Sequence, residues 1–181
     1  EARASQGVNV GATHHEIGIG YRYVDESSHE LRYRESTASG LLPTVSSRND
    51  RDTRGKTEAH AVYLDDRIDW GLWTITPGVR YERIDQQQIN VLTGRPFKGD
   101  YSTALPALNV LYRLDEGWNL YANTEGSFGS VQYSQMPNRV RQGLVKPEKA
   151  RTWEFGTRYD QGLLRAEIGA FLINFNNQYD S

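Results

Sequence analysis

Between residues 15 and 174 this chain switches apolar and polar side chains almost one residue at a time, and two unequal kinds of connection interrupt the switching. Asp69-Trp70-Gly71, Asp115-Glu116-Gly117 and Asp160-Gln161-Gly162 are short polar turns, whereas the stretches 24–56, 85–102 and 129–149 are long and polar. A two-residue period is that of a β-strand with one apolar face. Hairpins closed tightly at one end of a sheet and loosely at the other are the organisation of an outer-membrane β-barrel, with brief periplasmic turns and large extracellular loops. The expected fold class is therefore all-β: an antiparallel meander of about seven strands from a larger transmembrane barrel.

Seven segments carry the alternation, at about 15–23, 57–69, 72–84, 104–114, 118–128, 151–159 and 163–174. The third is the cleanest, with Trp73, Ile75, Pro77, Val79 and Tyr81 on one face and Thr74, Thr76, Gly78, Arg80 and Glu82 on the other. Energy decides which face meets lipid, because an arginine on the lipid face near the bilayer midplane costs roughly 2–4 kcal/mol. Arg80, Arg158, Arg165, Glu82, Glu154 and Glu167 therefore point inward, and a one-residue slip of register would expose them all. Asp66 and Arg83 break the pattern and are expected near strand ends, where an interfacial charge is tolerated. Trp73, Trp118, Trp153 and Tyr159 are expected beside the short turns, as a girdle at the periplasmic interface.

The 181 residues carry a net charge of −2, which gives no reason to expect nucleic acid as a partner. With no cysteine there is neither a disulfide framework nor a thiolate metal site. No apolar run reaches the about 20 residues of a membrane-spanning helix. The first residues, Glu1 to Gln6, do not read as a signal peptide, and Tyr179-Asp180-Ser181 follows directly on a strand-like run. Seven strands cannot close a barrel of even strand number, and open edges are not tolerated in hydrocarbon. Residues 1–181 thus read as a partial barrel domain, about a third of a large barrel.

Arg22 and Arg80 are the inward cations of most interest, each near the outer end of its strand and on either side of the 24–56 stretch. Two guanidiniums at the mouth of a lumen suit an anionic, carboxylate-rich ligand, because the planar fork of arginine matches carboxylate geometry. The plainer alternative is that both pair with lumen carboxylates such as Glu16 or Glu82. Residues 48–56 hold four cations and two carboxylates, which reads as a solvated loop with a possible role in steering anions. His14, His15, His29 and His60 fit no ordinary ligand spacing, so no metal site is expected. No nucleophile–base arrangement, phosphate loop or zinc motif can be assembled, and an enzyme is not expected.

Several runs carry a resemblance. Glu58 to Asp66 followed by Trp73 to Tyr81, Leu105 to Tyr112, Trp118 to Asn123 and Val145 to Glu154 resemble strands of TonB-dependent outer-membrane transporters. Tyr121 to Gly129, Val131 to Gln135 and Phe171 to Ser181 are similar to the ferric citrate receptors of that family. The resemblance implies a 22-stranded barrel in the outer membrane of a Gram-negative bacterium. An N-terminal plug fills such a barrel, and iron chelates are taken up through it with energy delivered by the TonB complex. It implies ferric citrate as ligand, with iron(III) carried as a chelate and no bound cofactor. Ligand-binding arginines of that branch match Arg22, within Gly20-Tyr-Arg-Tyr23, and Arg80, within Pro77-Gly-Val-Arg80. A third would fall near the start of the chain, where Arg3 stands. The stretch between Arg22 and Arg80 resembles a loop that moves when ligand binds. Rivals to this reading are a receptor for another ferric siderophore, haem or cobalamin, a passive porin-like channel or adhesin barrel, and a soluble glycan-binding sandwich. The plug and the remaining strands are expected outside these residues, and the barrel's other partner is outer-membrane lipid.

Overall fold

Every strand pairs with the next in sequence, so the chain forms one antiparallel meander of eight strands in the order β1 to β8. In this computed structural model the strands are β1 (Ala2–Val10), β2 (Thr13–Thr37), β3 (Val45–Trp70), β4 (Trp73–Asn90), β5 (Arg95–Asp115), β6 (Trp118–Gly129), β7 (Glu148–Gln161) and β8 (Leu164–Asn176). The structure describes residues 1–37, 45–129 and 148–176, and of residues 34–37 and 45–48 it describes the backbone alone. Most of the expected loop at 129–149, and the end of the run from Phe171 to Ser181, lie outside the described residues.

At one end of the sheet each hairpin closes over two residues: 11–12, 71–72, 116–117 and 162–163. Gly11, Gly71, Gly117 and Gly162 supply the left-handed backbone these turns require, with φ between 58 and 81°. The three short turns read from the sequence are therefore turns, and Gly11-Ala12 adds a fourth. It precedes β2 and belongs to a strand the alternation does not reveal, β1, which pairs with β2 from Ala2↔Tyr21 to Val10↔Thr13.

At the other end the connections differ from the expected loops. Residues 24–37 and 45–56 continue as strand, so β2 and β3 rise together as a long ribbon, accompanied by β4 as far as Thr53↔Asn90 and two-stranded beyond it. Likewise the 85–102 stretch is a hairpin, with β4 and β5 paired out to Asn90↔Arg95 around a turn at 91–94. The supposed solvated loop at 48–56 is β3 itself. Its charges pair across to β2: Arg51 Nη1 with Glu30 at 2.9 Å, Arg32 Nε with Asp50 at 2.9 Å, and Asp52 with His29 Nε2 at 2.9 Å. Lys56 hydrogen-bonds Glu58 and holds its carboxyl below the usual range.

Face assignment follows the alternation. Trp73, Ile75, Val79 and Tyr81 align in register with Tyr112, Val110, Pro106 and Ala104, and on the other side with Trp70, Ile68, Leu64 and Val62. Most of these side chains, with Ile17, Ile19, Leu120 and Phe155, stand exposed on the outer face, where Ile68, Ile75, Val110 and Tyr112 are half-buried. Among the described residues the only buried hydrophobics are Ala61, Ile84 and Leu105. A soluble domain of this length would bury far more, and an apolar sheet face this large belongs against lipid. From Trp73 to Tyr81 the outer face runs about 26 Å along the strand, the span of a membrane β-strand. No helix is long and apolar enough to cross a membrane, which does not bear on crossing by strands.

The periplasmic girdle is present. Trp73 packs on Tyr112 with centroids 4.5 Å apart, and Trp118 meets Tyr159 edge-on at 6.2 Å. Trp153 is not part of it. It lies six residues before Tyr159 on β7, about 20 Å along the strand and nearer the outer end, because β7 descends toward its short turn. Nor are the two charged exceptions at strand ends. Asp66 lies inside β3, four residues before Trp70, and His15 Nδ1 at 2.8 Å meets its carboxylate. Arg83 lies inside β4 but beyond the Tyr81 row, beside Asp85 at 3.7 Å. The strands outrun the bilayer, so strand ends do not mark its surfaces.

Candidate functional site

The concave face carries a wall of charge where β1 to β4 run side by side. Cross-strand register sets its rows. Arg22, Ala61, Glu82 and Thr103 are successive partners in one row across β2, β3, β4 and β5. Arg3, Gly20, Tyr63, Arg80 and Leu105 form the next row toward the short turns, across β1 to β5. Both arginines singled out by the sequence are thus on the inward face, on adjacent rows, and both border one open concavity of about 410 Å³.

Two glycines of β2 let its neighbours meet over it. A Cβ on Gly18 would lie 2.7 Å from Asp65 Oδ1 and 2.9 Å from Arg3 Nη2, so Arg3 of β1 and Asp65 of β3 could not join above any larger residue. Through that gap Arg3 Nη2 donates to Asp65 at 2.9 Å. Gly20 does the same for Tyr63, whose ring lies where a Cβ would be, 2.0 Å from Cζ. The Tyr63 hydroxyl thereby donates to Glu1 Oε1 at 2.9 Å.

The two candidate arginines differ in their partners. Arg80 Nε lies 2.6 Å from Glu82 Oε1, so for Arg80 the plainer alternative, pairing with a lumen carboxylate, describes this state. Arg22 has no hydrogen bond or ion pair among the described residues, and Glu16 accepts instead from Ser5 Oγ at 3.3 Å. Arg3, the third arginine, stands on the Arg80 row but is held by Asp65. Among the described residues the wall around Arg22 and Arg80 is therefore close to charge-balanced, with the guanidinium of Arg22 free.

Tyr63, Asp65 and Thr103 were not singled out by sequence reasoning. Parity alone puts Tyr63 and Asp65 on the inward face. The signal for their reach is the pair Gly18 and Gly20 one strand away, which carries meaning only once the β2–β3 register is known. The histidines engage ordinary partners: His14 meets Asn9 at 2.7 Å and His60 meets Tyr21 at 2.7 Å. No cluster able to hold a metal ion occurs among the described residues. Lower on the same face lies a second polar group, where Arg158 Nη2 donates to Glu167 at 3.0 Å and the Tyr121 hydroxyl donates to Glu167 at 3.0 Å.

Comparison with known proteins accords with this geometry. The ferric citrate transporter FecA, solved in its unliganded form, superposes with a TM-score of 0.89 at 63% identity, over 99% of this chain and 27% of that one. The siderophore receptor PiuA from Acinetobacter baumannii shares the fold, with a TM-score of 0.71 at 16% identity over 93% of this chain and 30% of its own. The ferrioxamine B receptor of Salmonella typhimurium (strain SL1344) is 26% identical over 176 residues, which are 93% of this chain and 24% of that protein. The chain spans about a quarter of the length of the relatives it matches. These relatives are receptors and transporters, not enzymes, and they place the sheet in the outer membrane of Gram-negative bacteria. The family described as TonB dependent receptor-like, beta-barrel matches residues 2–181, and the chain belongs to it.

Proposed function

We propose that these eight strands form part of the ligand-binding wall of a transporter for ferric citrate, in which Arg22 and Arg80 hold carboxylates of the anionic iron chelate. The iron is cargo and not a resident cofactor. In this reading residues 1–181 are one section of the barrel wall, the plug and the remaining strands belong to the rest of the polypeptide, and TonB supplies the energy through the plug. The single observation that carries the reading is the guanidinium of Arg22, without a partner among the described residues, beside Arg80 on one concave wall. An unpaired guanidinium on a sheet otherwise laced with ion pairs has an anion as its natural partner. The 63% identity to a ferric citrate transporter supports the same choice.

The test is titration of the full-length receptor with ferric citrate, using ferrioxamine B as the comparison ligand. Charge-assisted hydrogen bonds contribute about 1.5–3 kcal/mol each, so Arg22→Ala and Arg80→Ala should each weaken ferric citrate binding about tenfold or more. The assembled barrel should be unchanged by electrophoretic mobility. Undiminished binding in the double variant, or tight binding of ferrioxamine B in place of ferric citrate, would overturn the assignment.

A further inference from the structure

We infer that Glu82 is the resident counter-ion which the incoming anion displaces from Arg80, and that Thr103 receives the displaced carboxylate. The inference rests on the ferric citrate reading and adds to it a residue that sets affinity and a residue that makes the exchange possible.

Arg80 Nε is 2.6 Å from Glu82 Oε1, and the Glu82 side chain is only 14% exposed. An anion that reaches Arg80 while Glu82 remains in place brings two negative charges onto one guanidinium, which disfavours both. Glu82 must therefore let go, and a half-buried carboxylate that loses its cation needs another hydrogen-bond donor. The sheet supplies one. Thr103 is the direct cross-strand partner of Glu82, on the same face and in the same row. It is 4% exposed, and its Oγ1 is buried without a hydrogen-bond partner among the described residues. Buried hydroxyls are normally satisfied, so a vacant donor one strand from a carboxylate calls for an explanation. Side chains directly opposed in an antiparallel pair have Cβ atoms about 4.5–5.5 Å apart, which a rotation of the Glu82 side chain can span. In the other direction along the row stands Ala61, which lines the same concavity as Glu82 and Arg22 and offers Glu82 no hydrogen-bond donor from its side chain. Glu82 thus sits between two positions: on Arg80 when the wall is unliganded, and on the Thr103 hydroxyl when ligand carboxylates take both arginines.

Titration of the full-length receptor with ferric citrate, in four versions, tests the exchange. Glu82→Gln removes the competing charge and should tighten binding about tenfold, the scale of one charged hydrogen bond. Thr103→Val keeps the shape but removes the donor, and should weaken binding several-fold in the parent. The same change in the Glu82→Gln background should have little effect, because no charge is left to be received. That coupling separates an exchange from mere packing damage, which would weaken both backgrounds alike. Equal or weaker binding by Glu82→Gln, or an equal loss from Thr103→Val in both backgrounds, overturns the inference while leaving the ferric citrate reading intact. Failure of the parent receptor to bind ferric citrate, or indifference to Arg80→Ala, overturns the reading on which it rests.

Discussion

At the scale of single residues, what shapes the wall is where side chains are missing. Gly18 and Gly20 open a gap in β2 through which Arg3 reaches Asp65 and Tyr63 reaches Glu1. Gly20→Ala would put a methyl group 2.0 Å from Cζ at the hydroxyl end of Tyr63, and the side chain would have to swing away. Because Tyr63 stands between Arg3 and Arg80 in the row, the expected result is an assembled barrel with several-fold weaker ferric citrate binding, checked by titration beside electrophoretic mobility. The inward direction of Arg22 and Arg80 was legible in the sequence, since an outward arginine is costly and parity then fixes every neighbour. Their partners were not. The sequence offers Glu82 as a partner for Arg80, but that Arg22 faces Ala61 and not a carboxylate across β3 is a property of register.

At the scale of elements, turns and lipid-facing strands were legible, whereas strands outside the bilayer were not. Where one face meets lipid the alternation is enforced, as from Trp73 to Tyr81. Beyond the Tyr23–His60 pair β2 and β3 carry mostly polar residues on both faces, lipid no longer enforces the alternation, and residues 24–37 and 45–56 read as loop. β1 escaped for a related reason: Ala2, Ala4 and Gln6 oppose Tyr21, Ile19 and Ile17 but are too small or too polar to mark an apolar face. In the ribbon, Lys56 lowers the Glu58 carboxyl from its ordinary 4.5. This contact therefore supports the ribbon above that value and is lost as acidification passes below it. The turns differ among themselves. Gly117 has φ +81°, and a Cβ there would lie 2.5 Å from the Asp160 carbonyl oxygen, whereas Gly71 at φ +58° faces open space. Left-handed backbone costs a non-glycine residue roughly 1–2 kcal/mol. Gly117→Ala should therefore destabilise the barrel more than Gly71→Ala, because it adds a backbone clash to that strain; urea unfolding in lipid vesicles checks the order.

At the scale of the whole molecule, eight strands with three buried hydrophobic residues among those described have no interior of their own. Their stability comes from lipid on one face and a wet, ion-paired lumen on the other, with further strands needed to satisfy the edges of β1 and β8. The two faces should respond oppositely to charge at one depth. Ile75→Arg on the outer face should cost roughly 2–4 kcal/mol of unfolding free energy in lipid vesicles, and Thr76→Arg beside it on the inner face much less. Since residues 1–181 contain no cysteine, single cysteines can be introduced from 73 to 81 in the full-length receptor and spin-labelled one at a time. Oxygen, which partitions into lipid, should relax labels at 75, 77 and 79 most strongly, and a water-soluble nickel complex those at 74, 76, 78 and 80. A reversed pattern, or no two-residue period at all, would place Arg80 outside the lumen and contradict the structure's reading as a ligand-binding wall.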